Sequence, residues 1–226
     1  MPLIAPVLTP PLRQGEHLTR DEFMRRWEAM PDLTRAELIN GIVHMPSPVS
    51  RIHGDFHGRL SGWLWSYSAL TKGCGLYTAG TWLMSRNSAP QPDLAFEILP
   101  EYGGQARIEG KYSAGAPELI VEVSHTTSAR DTGVKLRLYE QCGVREYLIV
   151  RPAKQQLSWR ELHDGKYREI AAGPDGWFRS RVFPGLWLNP EALWNHDLPG
   201  LAEAVNRGAA TTEHAAFARK LAASKR

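Results

Sequence analysis

The sequence predicts an α/β (α+β) domain with a mixed central β-sheet flanked by helices and carrying extra β-hairpins. Three observations lead there. Residues 118–124, Glu-Leu-Ile-Val-Glu-Val-Ser, form a strand-like run that is apolar on both faces and therefore central. Helical and strand-like segments interleave without a strict βα repeat. Asn-Gly and Asp-Gly turns join short apolar runs at Asn40-Gly41 and Asp164-Gly165.

In chain order, Pro2, Pro6, Pro10 and Pro11 give the first residues no usable period, so 1–18 is expected to be an extended or disordered arm. Thr19, followed by Asp21 and Glu22, opens a helix over 21–30, with acids at its positive end. Residues 36–45 read as a hairpin around Asn40-Gly41, because both central turn residues need positive φ. After the break at Pro46-Ser47-Pro48, Phe56, Leu60, Trp63, Leu64, Tyr67 and Leu70 recur at helical spacing, giving a helix over 52–70. Strands follow at 76–85 and 92–98. A Gly-rich, charged loop covers 99–117, and the central strand and a polar turn at 124–128 come next. Val134, Leu138 and Cys142 share one face of a helix over 131–142, which Gly143 ends. A strand at 146–150 precedes a hairpin, 157–162 with 167–170. Short apolar segments with Pro184 and Pro190 fill 178–194. The chain then divides as arm 1–18, domain 19–197, and an Ala-rich, basic tail 198–226, helical but of low stability.

The chain of 226 residues is long enough for one sizeable core. No run approaches about 18 consecutive apolar residues, which excludes a transmembrane helix. The N-terminus lacks a secretory pattern, so a cytoplasmic location is expected. Cys74 and Cys142 make neither a disulfide framework nor a thiolate zinc site, and read as buried hydrophobes. The net charge is +3. The tail holds Arg207, Arg219, Lys220, Lys225 and Arg226 against Glu213, a feature open to two readings: a polyanion contact or a solubilising terminus.

The chemistry lies in acids placed on apolar strands. A carboxylate at Glu122 inside Leu-Ile-Val-Glu-Val is costly unless paired or bound to a metal. Period two puts Glu118, Ile120, Glu122 and Ser124 on one face, opposite Leu119, Val121 and Val123. Asp93 heads the preceding strand and Glu37 begins the first hairpin, so the three could converge on a hard divalent cation. Individually each has a plainer reading. Asp93 could cap a turn, and Lys135 could form a solvated surface pair with Asp131. His53 and His57 are four apart, a spacing compatible with a metal, but no third soft ligand is evident and a packed histidine is the simpler reading. The eight tryptophans read first as packing groups, with base stacking second.

Several segments occur in a distinctive order: Glu37-Leu-Ile-Asn-Gly41, Met45-Pro-Ser-Pro48, His53, Gln91-Pro92-Asp93-Leu94, Glu118-Leu-Ile-Val-Glu122-Val-Ser124, Asp131-Thr-Gly-Val-Lys135, and Tyr139-Glu-Gln-Cys-Gly143-Val-Arg-Glu-Tyr-Leu-Ile-Val150. This set resembles the Uma-type restriction endonuclease family, a branch of the PD-(D/E)XK nuclease superfamily, over about 19–195. The resemblance implies a metal-dependent endodeoxyribonuclease using Mg²⁺, with Mn²⁺ as the alternative, and DNA as partner. Asp93 and Glu122 match the two metal-binding acids, with the Val123 carbonyl as a further ligand. Glu37 matches an additional acid, completing the metal set. Ser124 stands where the superfamily usually has Lys, and Lys135 on the next helix takes that place. His53 matches a site-neighbouring histidine. Arg151 stands where an Asp is common, and the turn before Lys135 is one residue shorter than in many relatives. Many superfamily members are dimers, so a homodimer is an open expectation. The competing reading is a catalytically silent nuclease-fold module that binds DNA or protein. A third is a phosphodiesterase acting on something other than duplex DNA.

Overall fold

The structure is a computed structural model that describes residues 9–45, 48–124 and 133–225. The turn expected at 125–128, the helix start at Asp131 and the Asp131–Lys135 pair lie outside the described residues.

The chain begins with α1 (Arg20–Glu28), where the Thr19 hydroxyl accepts the Glu22 N–H. The first hairpin is β1 (Glu37–Ile39) and β2 (Ile42–His44), turned by Asn40 and Gly41 at φ 51° and 80°. Then come α2 (Arg51–Leu70), β3 (Cys74–Thr78), β4 (Trp82–Leu83) and β5 (Leu94–Ile98). The pair β6 (Arg107–Glu109) and β7 (Tyr112–Ala114) precedes β8 (Leu119–Val123), α3 (Lys135–Cys142) and β9 (Glu146–Arg151). The hairpin β10 (Gln156–His163) and β11 (Lys166–Glu169) follows, then β12 (Phe178–Arg179) and β13 (Trp187–Leu188). The chain finishes with α4 (Pro190–Trp194), α5 (Leu198–Ala209) and α6 (Thr212–Ser224).

The main sheet has six strands in the order β11-β10-β9-β8-β5-β3. Only β8 and β9 are parallel within it, and α3 is their crossover. Alternation along β8 separates two cores, as the period-two reading expects. Leu119, Val121 and Val123 join Leu60, Trp63 and Leu64 of α2, whereas Ile120 joins Leu138 and Tyr139 of α3. Gly143 stops α3 at φ 85°.

Four expectations need correction. The strand expected over 76–85 is two strands in different sheets, because Ala79 at φ 49° redirects the chain. The loop at 99–117 contains the β6–β7 hairpin. Its strands escape an apolar-pattern search because each is only three residues long and β6 is open to solvent, with Ile108 77% exposed, while Ala114 of β7 is buried. Residues 198–225 are no loose tail: Leu201, Ala204, Val205 and Leu221 are buried, and three of these join the α2 core. Residues 9–18 also dock on the first hairpin. Gly15 and Leu18 donate backbone N–H groups to Val43 and Gly41, and Leu12 is buried.

Candidate active site

Strand ends and helix starts meet at one end of the sheet. Leu94 pairs with Val121 across the antiparallel β5–β8 ladder, so Asp93, one residue before β5, comes level with Glu122. The first turns of α2 reach the same place. The β1–β2 hairpin and α3 lie on the Glu122 face.

Glu37, Asp93, Glu122 and Lys135 are all buried, at 7%, 8%, 5% and 4% exposure. The Lys135 ammonium donates to Glu37 Oε1 and to Glu122 Oε1, each at 2.9 Å. The Tyr139 hydroxyl donates to the same Glu122 oxygen at 2.9 Å. Glu37 Oε1 also accepts the Gln91 backbone N–H at 2.8 Å, tying the hairpin to the Gln91-Pro92-Asp93 segment. Asp93 Oδ2 accepts the Val123 N–H at 2.9 Å, and Oδ1 lies 3.1 Å from His53 Nε2. The Asp93 carbonyl lies 3.1 Å from His57 Nε2 and accepts the Ala79 N–H at 3.0 Å. Six chain segments therefore position one polar cluster.

The electrostatics follow from burial and pairing. Burial alone would push the Lys135 amine down, but the two carboxylates hold it above its ordinary value. Burial likewise opposes ionisation of Asp93, yet His53, the Val123 N–H and Lys135 hold its carboxyl below the usual range. The bond to Asp93 raises His53, against burial and the charge of nearby Arg35. Burial, then the Glu122 charge, pushes the Tyr139 hydroxyl well up, so it remains a donor.

The residues singled out from sequence are thus brought together in two linked halves. One is Glu37–Lys135–Glu122 and the other is Asp93–His53, joined through β8. Lys135 is a buried bridge rather than a solvated surface lysine. Asp93 does cap a neighbouring strand, through Val123, while facing the cluster. His53 and His57 both turn Nε2 to Asp93, with their rings stacked at a centroid distance of 6.3 Å. Among the described residues no group of three or more His, Cys, Asp or Glu side chains stands ready-made for a metal ion. Tyr139 was missed, because its position beside Leu138 reads as core. The role of Gln91 is carried by its backbone and leaves no side-chain signal.

The donor set still suits a hard cation. Asp93 and Glu122 offer carboxylate oxygens on adjacent strands, and Mg²⁺ typically takes only one or two protein carboxylates. Three buried carboxylates face Lys135 and His53, so the cluster retains negative charge even when His53 is protonated.

The mixed central sheet flanked by helices makes this an α+β protein. The chain belongs to the Uma2 family, described as "Putative restriction endonuclease", which matches residues 20–191. A similar solved structure is that of a "putative nuclease belonging to DUF820" from Anabaena variabilis. It is 16% identical, with a TM-score of 0.63, and the match covers 79% of this chain and 98% of that one. At that identity the likeness shows the fold alone. No curated protein matches the chain. Among the described residues no helix is long and apolar enough to cross a membrane.

Proposed function

We propose that this protein is a metal-dependent endonuclease that hydrolyses DNA phosphodiester bonds. The observation that carries the reading is the burial of Glu37 and Glu122 on one lysine, with Asp93 buried on His53 in the adjoining half of the cluster, at the end of the central strands. Buried acids in such number have a strong need of cations.

Asp93 and Glu122 would hold the divalent ion, Mg²⁺ or Mn²⁺, with Glu37 and the Val123 carbonyl as further oxygen donors. When bound, such an ion lowers the pKa of a coordinated water and offsets charge on phosphate oxygens. Lys135 places a positive charge beside the carboxylates, where it orients the attacking water and stabilises charge growing on the phosphate. Tyr139 and Lys135 together fix the Glu122 carboxylate, and His53 and the Val123 N–H fix that of Asp93. These restraints hold the acids before substrate arrives, so little reorganisation remains for the reaction.

One observation favours a second reading, a silent module that binds DNA or protein. Lys135 itself occupies the position between Glu37 and Glu122, and no three-ligand group is formed among the described residues. Plasmid cleavage separates the two. The nuclease reading predicts nicking or linearisation with Mg²⁺ that EDTA abolishes. Asp93→Asn and Glu122→Gln should each reduce the rate about 100-fold or more, the scale of losing a few kcal/mol of charge stabilisation. Wild-type rates in both variants would refute it. Duplex binding without any cleavage would favour the silent module.

A further inference from the structure

Arg151 closes β9, one residue beyond Val150, which pairs with Val123 across the parallel β8–β9 ladder. Alternation puts Leu148 and Val150 in the α2 core, and Tyr147 and Ile149 in the α3 core. Arg151 keeps an extended backbone, φ −116° and ψ 90°, so it falls on the face of Ile149 and Glu122. It also stands level with Ser124, at the carboxyl ends of the two parallel strands. In open α/β sheets, ligands favour the crevice outside such ends.

The residue is only 9% exposed. Among the described residues its guanidinium has no hydrogen bond, ion pair or ring contact. Arg59, of similar burial at 5%, shows the contrast: it donates to Asp55 and to the Leu193 carbonyl, contacts His196 Nε2 at 2.9 Å, and covers the Phe56 ring. A guanidinium stays charged at any ordinary pH. Left buried and unpaired it is destabilising, so its natural complement is an anion from outside the chain.

We propose that Arg151 binds a phosphate oxyanion, and that in the working protein this is a backbone phosphate of nucleic acid beside the one being cleaved. The planar fork of donors on arginine fits two phosphate oxygens at once. The assignment of the phosphate to nucleic acid rests on the nuclease reading, whereas the anion site itself does not. Arg151 is a substrate-positioning residue here, distinct from the acids proposed to hold the metal.

The test uses the full chain, with Arg151→Met and Arg151→Lys beside wild type. Thermal unfolding is followed in chloride and in inorganic phosphate at equal ionic strength. Binding of a short duplex is followed in Ca²⁺ over a series of salt concentrations. The proposal predicts that phosphate raises the wild-type melting temperature above its chloride value and leaves Arg151→Met unmoved. Arg151→Met should melt at or above wild type in chloride, because a buried unpaired charge has gone. Arg151→Lys should keep part of the phosphate response. Duplex affinity of Arg151→Met should fall about tenfold, and the slope of log K against log salt should flatten by about 0.9, one phosphate contact. An equal phosphate response in wild type and Arg151→Met would overturn the site, as would a lower melting temperature of Arg151→Met in chloride. An Arg151-dependent phosphate response without duplex binding would support the anion site and refute the nuclease reading alone. Duplex binding unchanged by Arg151→Met would overturn the nucleic-acid half of the proposal.

Discussion

Lys135 is the residue on which the site's electrostatics turn. It neutralises two buried carboxylates from different elements, and removing one partner of a buried ion pair leaves the other without compensation. Lys135→Met should therefore destabilise the protein by about 3 kcal/mol in urea unfolding. Adding Glu122→Gln should recover part of that loss, because the two act on one interaction. Additive effects would contradict the pairing. Glu97 gives a residue-scale test away from the site. Burial, with Glu118 and Glu101 nearby, pushes its carboxyl up to about 7 from an ordinary 4.5. Below pH 4.5 it is protonated folded and unfolded alike. Between pH 4.5 and 7 the unfolded chain ionises first, so stability falls as pH rises, and above 7 the loss is complete. Glu97→Gln should remove this fall and raise stability at pH 8 by on the order of 2 kcal/mol. Denaturant midpoints from pH 4.5 to 8 that run parallel in wild type and variant would refute it.

At the scale of elements, β9 is anchored to the following segment by one acid. Glu146 is fully buried and accepts from the Ser180 hydroxyl, the backbone N–H groups of Arg181 and Val182, and the Trp159 indole. Glu146→Leu would strip four donors of their acceptor, and should cost about 3 kcal/mol or more, since each unsatisfied buried group is destabilising. An unchanged denaturant midpoint would show that the donors find other partners.

Elements whose local chemistry agreed with their tertiary role were legible in the sequence. Asn40-Gly41 turns a hairpin because only such residues accept both positive φ values. Glu122 signalled a partner because it interrupts an apolar strand. Asp93 and Glu37 stood out as acids at strand ends, whereas Lys135 gained a role only from its place in an ordered set. What stayed hidden depended on contacts rather than on pattern. Tyr139 looks like any core aromatic until its hydroxyl meets Glu122. Strand β6 is solvent-facing, and neither β6 nor β7 is long enough to show apolar alternation. In α5, Leu201, Ala204 and Val205 do share one helical face, but Ala richness and a start at Pro199-Gly200 obscure it. The buried state of Arg151 had no sequence signature at all.

At the scale of the whole molecule, the C-terminal helices complete the core on the α2 side of the sheet. Removing residues 198–226 would uncover apolar surface now covered by Leu201, Val205 and Leu221. At about 1.5–3 kcal/mol for each large buried side chain, the loss approaches the total stability of a typical domain. A chain ending at 197 should therefore be insoluble or lack a cooperative thermal transition. A soluble, sharply melting fragment would show that the core closes without these helices. The same architecture brings Glu37, Asp93, Glu122 and Lys135 together from segments spread over nearly a hundred residues, so the proposed cation site is a property of the folded whole.

Diffraction from crystals soaked in Mn²⁺, recorded for its anomalous signal, reads that property directly. The account predicts one strong peak about 2.1–2.2 Å from carboxylate oxygens of both Asp93 and Glu122, absent in the Asp93→Asn variant. No peak at those oxygens, with Asp93 still on His53 and Glu122 still on Lys135 and Tyr139, would contradict it.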